Sequence, residues 1–186
     1  MNDIEAIRDF FLAGDAGKLK RSYQQLSGSF EATPPVVEDW QEVEFAFNRL
    51  FVGPAALEAP PFSSVYLDAQ GLVMGQTTMA VRQMYAALGL ESPWKNSLPD
   101  DHISLELDAA LAMNHVLKKL GHSEIQELHA RFMNHMTRWV PLFADRVLTA
   151  PSRHPAINHV VLCLSDWLDK QTCGLKNYQS AREEKV

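Results

Sequence analysis

The tetrapeptide Pro99-Asp-Asp-His102 sets two carboxylates and an imidazole side by side, directly ahead of an apolar run that starts at Ile103. Three kinds of chemistry fit these residue types. Aspartate accepts backbone N–H bonds at a helix N-terminus and its charge suits the positive end of the helix dipole, so Asp100 or Asp101 as a helix cap is the plainest reading. A carboxylate beside a histidine is also an acid/base pair, although no nucleophile accompanies it. Neighbouring acids finally suit a guanidinium, whose planar fork pairs with carboxylates.

Other candidates fall away on spacing. Gly14-Asp-Ala-Gly-Lys18 carries glycines only three apart with Leu19 after the lysine, whereas a phosphate loop needs GxxxxGK followed by Ser or Thr, after a strand. A helix end and turn explain it better. His115, His122 and His129 recur every seven residues, but Gly121 breaks the helix between them, and neither an HExxH nor a clustered Cys/His set occurs. No metal and no cofactor is expected. Cys163 and Cys173 lie ten positions apart on one expected helix, roughly 15 Å along its axis, which is too far for a disulfide within that helix.

The stretch from Arg49 to Asp68, RLFVGPAALEAPPFSSVYLD, is the least ordinary part of the chain. Between Leu50 and Leu67 it holds one charge, Glu58, and prolines at 54, 60 and 61 that forbid a continuous helix or a central strand. Apolar connectors of this length are uncommon, because loops normally run over the wet surface.

The elements that must hold these motifs read as helices. Ile4, Ile7, Phe10 and Phe11 are at helical spacing, and a second segment covers about 18–26. Pro34-Pro35 is expected to open a helix over 36–51, with Val36, Trp40, Val43, Phe47 and Leu50 as its apolar stripe. Helices are further expected over 77–88 (ending at Gly89), 103–120 (ending at Gly121), 123–148 with an interruption at Pro141, and 155–175. Ser64-Val-Tyr-Leu67 is the only strand-like run. A connector over about 91–101 joins two halves, and 176–186 reads as a polar, fraying tail.

At 186 residues, with 46% apolar and 22% charged, the chain is long enough for one well-buried core. The expectation is one all-α domain. A net charge of −6 argues against nucleic acid and anionic membrane as partners and is compatible with a cationic one. No run of eighteen apolar residues occurs, so no integral membrane segment is expected, and residues 1–8 lack the basic-then-apolar pattern of a secretory signal. A cytoplasmic location follows as an expectation.

Leu50-Phe-Val-Gly-Pro54, Ala59-Pro-Pro-Phe-Ser-Ser-Val-Tyr-Leu-Asp68, Gly75-Gln-Thr-Thr-Met-Ala-Val-Arg-Gln83 and Pro99-Asp-Asp-His-Ile103 together resemble the TorD/DmsD family of redox-enzyme maturation chaperones, and DmsD-like members most. The resemblance spans about 45–120. It implies a single-domain helical bundle that binds the twin-arginine signal peptide of a molybdenum-cofactor oxidoreductase of the DMSO/TMAO-reductase type and delays export until cofactor insertion and folding are complete. It implies a non-enzyme. Carried onto this sequence, the family's binding patch comprises Phe47, Leu50 and Phe51 at a helix end and Asp101 and His102 in the second motif, with Phe62 and Tyr66 as neighbours. Phenylalanine stands at 47 and 62 where relatives often have tryptophan, which keeps apolar area and loses an indole N–H. The acids Asp100, Asp101, Glu106 and Glu58 are expected to meet the leader's two arginines beside this apolar surface. Two other readings stand beside it: a partner for a folded cytoplasmic enzyme, or a weak guanine-nucleotide binder. Either a monomer or a dimer swapped through the 91–101 connector is compatible with the sequence.

Overall fold

A computed structural model describes residues 3–26, 33–91, 97–120 and 123–183, with side chains of 118–120, 123 and 174–183 left aside. Eight α-helices form within the described residues: α1 (Asp3–Phe11), α2 (Ala16–Gln24), α3 (Trp40–Phe47), α4 (Ser63–Leu67), α5 (Gln76–Ala87), α6 (Ile103–Leu120), α7 (Ser123–Thr149) and α8 (Pro155–Glu183). A turn of π-helix, Asn48–Val52, prolongs α3. Among them no strand forms, only a single antiparallel bridge between Phe62 and His102.

The apolar stripes fold inward as their spacing demands. Ile4, Ile7 and Phe10 of α1 meet α6 and α2, and one buried cluster runs from Ile4 through Val43, Ile103, Phe132 and Trp139 to Leu168. The long pair α7 and α8 pack on each other, and α8 also reaches α1 and α3. No described helix is long and apolar enough to cross a membrane.

Several boundaries differ from the sequence reading, each for a local reason. The third helix starts at Trp40, not Val36, because Asp39 is extended (φ −118°, ψ 113°) and its carboxylate accepts from Gln41 N–H; Val36 is left 92% exposed. The strand-like run at 64–67 is a short helix, α4. Pro141 does not interrupt α7, since it lies on the exposed side of a helix whose Val140 and Phe143 are buried. The backbone of α8 continues to Glu183, well into the expected tail, with neither proline nor glycine after Gly174 to end it. The expected stop at Gly121 lies outside the described residues.

Candidate functional site

The proline-rich segment is tied down at each step. The π turn brings Leu50 and Phe51 inward together, at 0% and 6% exposure, beside Phe47 at 2%. Its free carbonyls then serve the connector: Arg49 O accepts from Glu58 N–H at 3.3 Å and Leu50 O from Ala59 N–H at 3.0 Å. Gly53 makes the turn at φ 107°, a conformation side chains with a Cβ rarely adopt. Glu58 then clips the segment to the α7–α8 corner, where its carboxylate accepts from Ser152 N–H (2.9 Å), from the Ser152 hydroxyl (2.8 Å) and from Arg49 (3.2 Å). The Ser152 bonds and the nearby guanidinium hold the Glu58 carboxyl below its ordinary pKa.

The two motifs, far apart in sequence, are hydrogen-bonded to each other. Ser63 N–H donates to Asp101 O at 3.0 Å and Ile103 N–H to Pro61 O at 2.9 Å, which forms the Phe62–His102 bridge. The Phe62 and His102 rings meet edge to face with centroids 5.1 Å apart. Asp101 Oδ2 accepts from Ser64 N–H at 2.8 Å, so the aspartate caps α4 across 37 positions, not α6 as its place in sequence suggested. His102 takes the local role instead: its Nδ1 accepts from Ser104 N–H (3.2 Å) and lies 2.6 Å from the Ser104 hydroxyl. That geometry puts the ring proton on Nε2, and burial drives the imidazole pKa down to about 3, so His102 is neutral at physiological pH.

The same logic recurs one element later. Asp68 accepts from Thr77 N–H and from the Thr77 hydroxyl, capping α5 from outside the helix. A Cβ on Gly75 would meet the Asp68 carboxylate and push it away from Thr77.

Behind the motif, Glu106 is wholly buried and receives Trp139 Nε1–H and His135 Nε2, each at 2.9 Å. Burial opposes charge on His135, but the Glu106 carboxylate outweighs it and the net direction of its pKa is up. Trp139 leans on Tyr66 (centroids 5.8 Å), and Tyr66 and Phe51 both meet Phe143 at 6.2 and 5.8 Å. Phe51 also meets Phe47 at 5.0 Å. One aromatic wall therefore joins the helix end at Phe47 and Phe51 to Tyr66 of α4, and Phe62, the residue that precedes α4, meets the second motif through the bridge.

Of the seven residues singled out from sequence, Phe47, Leu50, Phe51, Asp101 and His102 are buried, whereas Phe62 and Tyr66 are partly exposed. The acids are less available than expected. Glu106 and Glu58 are engaged by internal partners, and Asp100 pairs with Arg82 through Nε at 2.5 Å while Tyr85 donates its hydroxyl to Asp100 O at 2.9 Å. Sequence reasoning missed Arg82, Tyr85, His135 and Trp139 as neighbours of the motif. Each is brought there from another helix, and no local spacing announces it.

The glycine run at 14–17 offers no phosphate cradle: the Asp15 carboxylate occupies the α2 N-terminus and accepts from Lys18 N–H at 2.8 Å, where an anion would meet its charge. Among the described residues no group of three or more His, Cys, Asp or Glu is arranged to hold a metal. Cys163 is buried and Cys173 exposed, both as free thiols on α8.

Residues 12–145, which include both motifs, match the family model described as nitrate reductase delta subunit. The chain belongs to this family, in which its relatives carry the names DmsD and TorD. It is 37% identical over 112 residues to the Tat proofreading chaperone DmsD of Salmonella typhi, covering 59% of this chain and 50% of that protein. It is 27% identical over 143 residues to the chaperone protein TorD of Vibrio cholerae, covering 73% and 64%. The chain thus spans about half the length of the DmsD proteins it matches. A crystal structure from Archaeoglobus fulgidus, described as a redox enzyme maturation protein, shares the fold with a TM-score of 0.59 at 19% identity, over 91% of this chain and 95% of that one.

Proposed function

We propose that the chain is a cytoplasmic, non-catalytic chaperone that binds the twin-arginine signal peptide of a molybdenum-cofactor oxidoreductase of the DMSO/TMAO-reductase type and delays its export until cofactor insertion and folding are complete. The observation that carries this reading is membership of a family with relatives named as Tat proofreading and TorD chaperones, over a span that contains both motifs. The binding patch in this reading is Phe47, Leu50, Phe51, Phe62, Tyr66, Asp101 and His102. Phe62 and Tyr66, partly exposed, meet the peptide's apolar segment, and the five buried residues fix the wall behind them.

The chemistry of such a peptide suits this surface. Two permanent cations followed by an apolar stretch call for acids at the rim of an aromatic wall. Net negative charge speeds encounter, and apolar burial supplies most of the affinity. Titration calorimetry with synthetic twin-arginine leaders of DMSO-reductase-type enzymes, and with the same peptides carrying Lys-Lys, tests the reading. Binding that weakens with Lys-Lys supports it. Failure of the folded protein to bind any of several such leaders removes it.

A further inference from the structure

Of the two acids in the second motif, Asp100 is the less deeply buried, and it is already held by an arginine. Arg82 of α5 donates Nε–H to Asp100 Oδ2, with the guanidinium side chain 54% exposed and the carboxylate side chain 9%. This contact uses one N–H of five and lacks the two-pronged geometry that makes arginine–carboxylate pairs strong. The guanidinium's NH1 turns instead to Met79 Sδ at 3.9 Å, a weak acceptor on a side chain that is itself 51% exposed. The Tyr85 hydroxyl makes a second tie from α5 to the motif, through Asp100 O.

Unused acceptors lie on the segments that converge there. Asp101 Oδ1 is buried with no hydrogen-bond partner among the described residues, on an aspartate of 0% exposure. Thr78, 2% exposed, leaves its hydroxyl without a partner and lies four positions before Arg82 on the same face of α5. Orphaned polar atoms of this kind are costly unless a ligand or solvent completes them.

We infer that Arg82 is an internal occupant of an arginine subsite, and that a guanidinium of the bound peptide displaces it from Asp100. The inference rests on the twin-arginine reading for the identity of the peptide. It names Asp100 as the acceptor and Arg82 as the residue that sets the threshold for entry: only a ligand group offering a better fork than the single Nε–H bond takes its place.

Titration of the wild type, Arg82→Gln, Arg82→Lys and Arg82→Gln/Asp100→Asn with a twin-arginine leader and, separately, with Arg-Arg dipeptide amide decides it. Arg82→Gln is expected to bind the leader about twofold to fivefold more tightly, the weight of one half-exposed ion pair, with a steeper dependence on salt. The dipeptide amide is expected to bind Arg82→Gln measurably, the wild type more weakly and the double variant not at all. Arg82→Lys should lie near the wild type. If the leader binds the wild type but Arg82→Gln gains nothing or loses affinity, Arg82 is a contact or a structural tie and the inference is overturned. If Arg82→Gln gains the dipeptide through Asp100 while no variant binds a leader, the arginine subsite stands and the signal-peptide reading falls.

Discussion

The carboxylate of Asp101 accepts the backbone N–H of Ser64 at 2.8 Å and thereby caps a helix that begins 38 positions earlier in the chain. A helix of only five residues cannot sustain itself, because nucleation costs more than its few internal bonds return. The Phe62 position that precedes α4 offers no side-chain acceptor, so the cap must come from elsewhere. A residue of the proposed binding patch is thus also a structural brace. Replacing Asp101 by alanine leaves Ser64 N–H unpaired in a buried site and is expected to lower stability by about 2 kcal/mol, while asparagine, which keeps an acceptor, lowers it by about half as much. Urea midpoints of the two variants check this; equal losses would show that charge, not the hydrogen bond, holds α4.

The buried histidines give stability two opposed dependences on pH. His102 in the folded chain has its pKa pushed by burial to about 3, below the ordinary value of 6.5. The unfolded chain therefore takes up a proton that the folded chain refuses, and stability falls as pH drops from 6.5 towards 3. Burial of His129 adds to the same loss. His135 has the opposite sign: its raised pKa adds stability that is complete below 6.5 and is lost as pH rises through the folded value. Denaturant midpoints measured from about pH 4 to about pH 8 should show a shallower acid fall for His102→Asn and a smaller decline towards high pH for His135→Gln.

Glu106 is expected to be the least replaceable acid. Alanine there leaves Trp139 Nε1–H and His135 without partners in the core and should cost about 3–5 kcal/mol. Glu106→Gln keeps an acceptor for Trp139 but removes the charge that raises the His135 pKa. Burial is then opposed only by the weaker pull of Asp101, and the imidazole should titrate below 6.5 in a histidine NMR titration. An unchanged His135 titration in that variant would assign its shift to a different neighbour.

Glu58→Ala should release the proline-rich segment from the α7–α8 corner. It removes the acceptor of both Ser152 bonds, a loss of about 1–2 kcal/mol, and amide exchange at Ala59 is expected to quicken. If Ala59 keeps its full protection, the backbone bonds to Arg49 O and Leu50 O anchor the segment without the Glu58 carboxylate.

The positions that sequence made legible are those governed by short-range rules. Helical spacing of Ile4, Ile7 and Phe10, glycine at 89 with φ 67°, and the dense apolar run from Ile103 each fix an element with its near neighbours alone. The helix starts at 40 and 63 do not follow from apolar spacing, because an aspartate caps each and for α4 that cap is remote. Short apolar runs such as Ser64 to Leu67 fit strand and helix equally well by pattern, so a tertiary hydrogen bond made the choice.

Sequence by itself determined an all-helical chain, its apolar proline-stiffened connector and the acid–imidazole motif, because composition, periodicity and proline stereochemistry act within a few residues. Only the tertiary structure decided what those motifs touch. Packing α4, α5 and α7 around residues 99–106 drew Asp101 onto Ser64, Arg82 onto Asp100, and His135 and Trp139 onto Glu106. A buried carboxylate must be satisfied by whichever donors the fold brings within about 3 Å. Which donors those are is a property of helix packing and not of spacing along the chain.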